Sequence, residues 1–236
     1  MNVLVTFDID GTLIESADGG FEHTDIMRRV AMEMCGLEDG ITITELLGQS
    51  LSGTTDYWVT KKIIEKTVGL DYVNHEFICK FGKRECELYR GSNSIRALPG
   101  VIQLLTYLKN MDGVKITLCT GNFEDIAWKK LKSGALDHFF SGCHGGFGEI
   151  ELRSNIIRKA IKDMETAYQI QFDRIIHIGD AIQDVMAAQD AGVIAVGLET
   201  GIHKQEDFPK PCYVLKNLEI GFQALINIIQ GDNNAL

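Results

Sequence analysis

A chain of 236 residues with 45% hydrophobic and 24% charged side chains is composed like a globular protein, with room for one large domain or a core carrying an insert. Its net charge of −10, from 33 acids against 23 bases, works against a nucleic-acid-binding face, and no block of Lys/Arg overrules that average. No apolar run reaches membrane-spanning length and no basic segment leads into a long apolar stretch. The six scattered cysteines form no CxxC pair, so the expectation is a cytoplasmic protein with buried free thiols and no membrane partner.

Near-continuous apolar runs predict strands buried on both faces: VLVTF (3–7), KITLCT (115–120), RIIHIG (174–179) and VIAVGL (193–198). HFFSG (138–142) and CYVL (212–215) are weaker strand candidates. Helical spacing fills the intervals. Val101, Leu104, Leu105 and Leu108 fall at i, i+3, i+4, i+7 behind Pro99, and Ile126, Trp128 and Leu131 follow the second strand. Ile156, Ile157, Ala160, Ile161 and Met164 make one face. Val185, Ala188 and Ala191 run to a stop at Gly192, and Leu218, Phe222, Leu225 and Ile228 close the chain. The alternation predicts an α/β protein with a parallel sheet under helices. Residues 15–97 break the rhythm, with helical segments near 21–35, 55–67 and 72–89, no convincing strand, and connectors at ADGG (17–20) and GSNS (91–94). We read 16–93 as an all-helical insert after the first strand, leaving 1–15 and 94–236 as the core.

Ligands of open α/β sheets bind at the carboxyl ends of strands. The first strand would deliver Asp8, Asp10, Gly11 and Thr12 there, the second Thr120, Gly121 and Asn122, and the strand at 174–179 would deliver Gly179, Asp180 and, a turn later, Asp184. Asp8 and Asp10 are too close to stay ionised without a cation or a proton to relieve them. Several carboxylates at one edge invite a hard cation such as Mg²⁺. Backbone N–H groups at the glycine turns, the Thr12 and Thr120 hydroxyls and the Asn122 amide have the makings of a phosphate cradle. Arg153, just ahead of a helix, is placed to supply the missing positive charge. A calcium loop is excluded, because Thr12 and Leu13 stand where an EF-hand needs an acid and a glycine. His23, Asp56, Tyr57, Trp58 and Lys61 in the insert are weaker substrate-facing candidates. Trp58 reads better as core, and Lys61 and Lys62 as a solvated face.

FDIDGTL, LCTGN and IGDAIQD, in that order, resemble the first, second and fourth motifs of the haloacid dehalogenase-like (HAD) hydrolase superfamily. LPGV (98–101), TGNFEDIAWKKL, DVMAAQDAGVIAVGL and the GTTD at 53–56 extend the likeness to the phosphoglycolate phosphatase-like branch over nearly the whole chain. The resemblance implies a Rossmann-like core with a helical cap, and a Mg²⁺-dependent phosphatase acting through an aspartyl-phosphate on a small phosphorylated metabolite, phosphoglycolate-like or a sugar phosphate. It implies Asp8 as nucleophile and Asp10 as general acid and base. Gly11, Thr12, Thr120, Gly121 and Asn122 would be phosphate-binding, and Asp8, Asp10 (through its backbone carbonyl), Asp180 and Asp184 would be metal-binding. The third motif, commonly Lys followed by Pro, has no such pair here. Arg153 is the reading for it, with Arg158 and Lys159 as alternatives. The rival functions are a β-phosphoglucomutase-like phosphomutase and a non-catalytic phosphate-binding or regulatory protein on the same fold.

Overall fold

The computed structural model describes residues 1–17, 21–140, 142 and 144–231. Five parallel strands form the central sheet in the order β4-β1-β5-β6-β7, with β1 Val3–Phe7, β4 Val114–Leu118, β5 Arg174–Gly179, β6 Ile194–Leu198 and β7 Tyr213–Leu215. Every residue of β1 is buried, as its unbroken apolar run requires, since helices cover both faces. Between β1 and β4 lie β2 Ile14–Ser16, α1 Phe21–Cys35, α2 Ile43–Leu47, α3 Asp56–Thr67, α4 His75–Leu88, β3 Ile95–Ala97 and α5 Val101–Lys109. After β4 come α6 Glu124–Ser133, α7 Asp137–Phe140 and α8 Arg153–Tyr168. Helix α9 Ile182–Ala191 links β5 to β6, and α10 Phe222–Gln230 follows β7.

Three expectations are corrected. HFFSG does not begin a strand: residues 137–140 are a helical turn that sends Phe139 and Phe140 into the core, where Phe140 meets Phe7 edge-on at 6.3 Å. Two aromatics side by side satisfy a buried corner as readily as a strand. Ser141 of that run, Asp18–Gly20 of the ADGG connector and Cys143 lie outside the described residues. The ends of the helical insertion are not strand-free, because β2 and β3 pair antiparallel, Ile14 opposite Ala97 and Ser16 opposite Ile95, and so bring its two ends together. Of the five described cysteines, all free, only Cys35 and Cys119 are fully buried and Cys79 is exposed. Helix α2 is an addition: five residues are too few for periodicity, but Thr42 and Glu45 cap it reciprocally.

Helices α1 to α4 gather around their own apolar cluster, including Met27, Val30, Ile63, Ile64 and Phe81. The β1, β4 and β5 side chains belong to a separate one with Leu104, Leu105 and Phe140. Backbone bonds tie the two together at the sheet's carboxyl edge, from Asp56 N–H to Gly121 O (2.8 Å) and from Tyr57 N–H to Gly148 O (3.0 Å). No helix among the described residues is long and apolar enough to cross a membrane.

Candidate active site

The chain leaves β1 with Asp8 N–H still bonded to Ile178 O at 2.9 Å, so its carboxylate is anchored at the sheet edge. Gly11 then adopts φ +73°, a left-handed turn that returns Leu13 N–H to Ile9 O at 2.9 Å. A side chain at Gly11 would collide with the Asp180 carboxylate, so glycine is required for both conformation and approach. Thr12 Oγ1 donates to Asp180 Oδ1 at 3.2 Å. From β4, Thr120 is fully buried, and its Oγ1 accepts from Asn122 N–H (3.3 Å) and Nδ2 (2.9 Å). Asn122 Nδ2 also donates to Asp10 Oδ2 at 2.7 Å. At Gly121 a side chain would strike the Thr54 carbonyl, so the small residue permits the helical insertion to close on this loop.

Arg153 opens α8 and reaches the same edge. Its Nη2 lies 2.8 Å from Asp8 Oδ1, and its Nε donates to Asp184 Oδ1 at 2.7 Å. The Nη2 is buried without an aligned hydrogen bond, a donor suited to an incoming anion. Arg158 and Lys159 are elsewhere, on Ser154 and Asn155 and on Asp163 respectively. Asp184 also caps its own helix through Ala181 N–H at 3.0 Å. Carboxylate oxygens of Asp8, Asp180 and Asp184 lie within 4.8 Å of one another, all three residues buried.

Together with residues of the helical insertion, Asp8, Asp10, Gly11, Thr120, Gly121, Asn122, Arg153 and Asp180 line a cavity of about 240 Å³. Thr12 and Asp184 stand directly behind it, on Asp180 and Arg153. Of the insert candidates, His23 and Asp56 line the cavity. Lys61 and Lys62 instead pair with Glu151 and Glu65, and Tyr57 and Trp58 pack on the insertion's own apolar cluster.

Two residues escaped the sequence reading. Lys130 Nζ donates to Asp10 Oδ2 and to Asn122 Oδ1, each at 2.7 Å, with His23 Nδ1 at 3.2 Å. Glu85 Oε1 lies 2.7 Å from His23 Nε2. Both had a signal. Lys130 shares the buried face of α6 with Ile126, Ala127 and Leu131, and Glu85 shares that of α4 with Ile78, Phe81 and Gly82. A charge in the middle of an apolar helical face must meet a partner.

The electrostatics divide the two aspartates. Burial, with Asp184 and Asp10 nearby, raises the Asp8 carboxyl to about 7 despite the opposing Arg153 charge. Burial, with Asp184 and Asp8 nearby, raises Asp180 well above the usual range. Asp10, its side chain 49% exposed to the cleft, goes the other way. Enclosure opposes its ionisation, but the Lys130 charge and hydrogen bond and the Asn122 amide hold it below its ordinary value. Burial lowers His23 to about 3, with Lys130 adding to the shift, so its imidazole is neutral. The crowded Asp8, Asp180 and Asp184 present only hard oxygen donors, a set that fits Mg²⁺.

The family model described as haloacid dehalogenase-like hydrolase matches residues 3–192. The chain belongs to the haloacid dehalogenase-like hydrolases. It is therefore an enzyme, and the strand-end aspartates lie within the matched region. Curated relatives include the phosphoglycolate phosphatase of Aliivibrio fischeri, 24% identical over 86% of this chain and 86% of that one, and that of Agrobacterium fabrum, 25% identical over 85% and 82%. The phosphoglycolate phosphatase of Caulobacter vibrioides is 26% identical, but the match spans 59% of its length. A hydrolase from Pseudomonas syringae shares the fold, with a TM-score of 0.68 at 20% identity over 97% of this chain and 99% of that one. CbbY from Rhodobacter sphaeroides, solved with phosphate, has a TM-score of 0.65 at 17% identity over 94% and 96%.

Proposed function

We propose that this enzyme is a Mg²⁺-dependent phosphatase that hydrolyses a small soluble phosphomonoester through an aspartyl-phosphate on Asp8. The observation that carries the reading is the opposite placement of the two aspartates: Asp8 beside Arg153 and the carboxylate cluster, Asp10 turned away onto Lys130 and Asn122. Residues 1–15 and 94–236 act as the core and 16–93 as a cap that covers the site and excludes water. The curated relatives are named for phosphoglycolate, which supports a small metabolite as substrate in the cytoplasm.

Asp8, the Asp10 backbone carbonyl, Asp180 and, directly or through water, Asp184 would hold Mg²⁺, which when bound would offset charge on the nucleophile and the phosphoryl oxygens. Arg153, Thr120, Asn122 and the backbone of the Gly11–Thr12 turn and Gly121 would hold the phosphoryl group. Asp8 attacks phosphorus, the bond to the leaving oxygen breaks, and Asp10 protonates that oxygen. Asp10 then takes a proton from the water that splits the aspartyl-phosphate, freeing Asp8 and inorganic phosphate. As found, Lys130 and Asn122 favour ionised Asp10, the form this second half needs. The first half requires Asp10 to take up a proton, and its protonated carboxyl still offers Lys130 an acceptor oxygen. A pure phosphate binder would need neither carboxylate, which disfavours the non-catalytic alternative.

Hydrolysis of a generic aryl phosphate with and without Mg²⁺ tests the reading. Metal-dependent release of phosphate, lost in Asp8→Asn, is the expected result. Absence of metal-dependent turnover, or full activity in Asp8→Asn, would overturn it.

A further inference from the structure

The charges facing the cavity limit the group that the phosphate can carry. Its cap-side wall, drawn from residues 23–59, has one acid, Asp56, and no Lys or Arg, and its other polar side chains, on His23, Thr24, Ser52 and Thr54, are neutral. His23 adds no cation, because its Nδ1 faces the Lys130 ammonium, leaving Nε2 to donate to Glu85. The two cations that line the cavity, Lys130 and Arg153, both come from the core side. Lys130 has an acceptor for each of its three N–H groups, in Asp10, Asn122 and His23. Arg153 is held by Asp8, Asp184 and the Thr54 carbonyl, and its remaining capacity lies beside the nucleophile, where the transferred phosphoryl group belongs. A divalent cation among Asp8, Asp180 and Asp184 would serve that same phosphoryl group. The residues outside the structural description include no Lys or Arg in the sequence.

A second anion on the substrate would therefore lie beside Asp56 and Asp10 with no cation free to pair with it. An anion desolvated beside these carboxyls with no cation to pair with it is disfavoured, and the more so once Asp56 ionises. We propose that the site selects phosphomonoesters whose leaving group is small and uncharged, an alcohol or polyol without carboxylate or second phosphate. The proposal rests on the phosphatase reading and narrows it. It sets this enzyme apart from a phosphoglycolate phosphatase, whose substrate carries a carboxylate. It also sets it apart from a sugar phosphomutase, which must hold a phosphate on the sugar while transferring another. The volume of about 240 Å³ lies below the roughly 300–1,000 Å³ usual for ligand clefts and favours leaving groups of few carbons.

The test uses matched pairs that differ in one charge: 2-hydroxyethyl phosphate against 2-phosphoglycolate, and glycerol 3-phosphate against 3-phosphoglycerate. The neutral member of each pair should have a kcat/KM at least about 100-fold higher, the size of a desolvated, unpaired like charge. Equal or better use of the carboxylate member would overturn the proposal. Binding of the same pairs to Asp8→Asn by calorimetry keeps the question separate from catalysis. If no phosphomonoester is hydrolysed, the phosphatase reading fails, and tighter binding of the neutral members by Asp8→Asn would still uphold the selectivity. Equal or tighter binding of the carboxylates would reject it. Thr24→Lys, which adds a cation to the cap wall, should shift the carboxylate-to-neutral ratio of kcat/KM upward by about tenfold or more. A ratio left unchanged in a folded variant counts against the proposal.

Discussion

The ammonium of Lys130 bridges the two halves of the site, 2.7 Å from Asp10 Oδ2 in the core and 3.2 Å from His23 Nδ1 on α1. Its third donor goes to Asn122 Oδ1 at 2.7 Å, so its protons are matched one for one. The match orients His23, whose Nε2 then donates to Glu85 on α4 at 2.7 Å. A single buried cation thus links Asp10 to two helices of the insertion.

Lys130→Met should therefore cost both activity and stability. Its loss leaves Asn122 Oδ1 and His23 Nδ1 without their donor, while the half-exposed Asp10 can rehydrate. We expect destabilisation of about 2 kcal/mol, the usual worth of hydrogen bonds to a charged group, measured by urea denaturation. Activity should fall in kcat more than in KM, because Asp10 loses the group that orients it.

Asp10→Asn should lower kcat by roughly 10²–10⁴, the usual contribution of general acid–base catalysis. Asp8→Asn should be more severe and should abolish incorporation of phosphate into the protein, read by mass spectrometry after quenching. Incorporation that persists in Asp8→Asn would move the nucleophile elsewhere.

Asp56 gives the fold a pH dependence of predictable sign. Burial raises its carboxyl to about 7, against Lys130 and the Phe123 N–H, which pull it down, while Asp10 and Glu149 add to the rise. Its ordinary value is 3.8. Between those values the folded state binds more protons than the unfolded, so stability falls as pH rises. The contribution of protonated Asp56 is full below about 3.8 and lost as pH passes about 7. Asp56→Asn, which keeps an acceptor for Phe123 N–H, should flatten the decline in Tm between pH 4 and 7 in metal-free protein. An unchanged slope would remove Asp56 as its source.

On the proposed reading, added Mg²⁺ should raise Tm, because it would bind the folded carboxylate cluster and not the unfolded chain. Saturation at about 100 times Kd corresponds to about 2.7 kcal/mol. Asp180→Asn removes one carboxylate and should abolish most of the shift, as scanning fluorimetry would show. A shift retained in that variant would place the ion elsewhere.

Local pattern was enough for the sheet. The runs at 3–7, 115–120, 174–179 and 193–198 are strands within a residue or two, because strands buried on both faces leave an unbroken apolar signature. The β2–β3 ribbon was not legible, since three-residue strands carry no period and pair only when the ends of the insertion meet. The turn at 137–140 was misread because adjacent phenylalanines serve either state. Arg153 was legible as the base at the sheet edge only by its place ahead of a helix. Its position 2.8 Å from Asp8, with Arg158 and Lys159 directed elsewhere, is a tertiary fact.

The sequence by itself determined the order of strands and helices and which polar residues stand at strand ends, since backbone periodicity and glycine turns are local properties. Only the tertiary structure decided the electrostatic state of the site. Lys130 reaches Asp10 across 120 positions, and His23 reaches Glu85 across 62. Such pairings depend on how two apolar clusters dock, and burial multiplies the consequence, because a charge withdrawn from water takes its pKa from whichever partner the fold sets beside it.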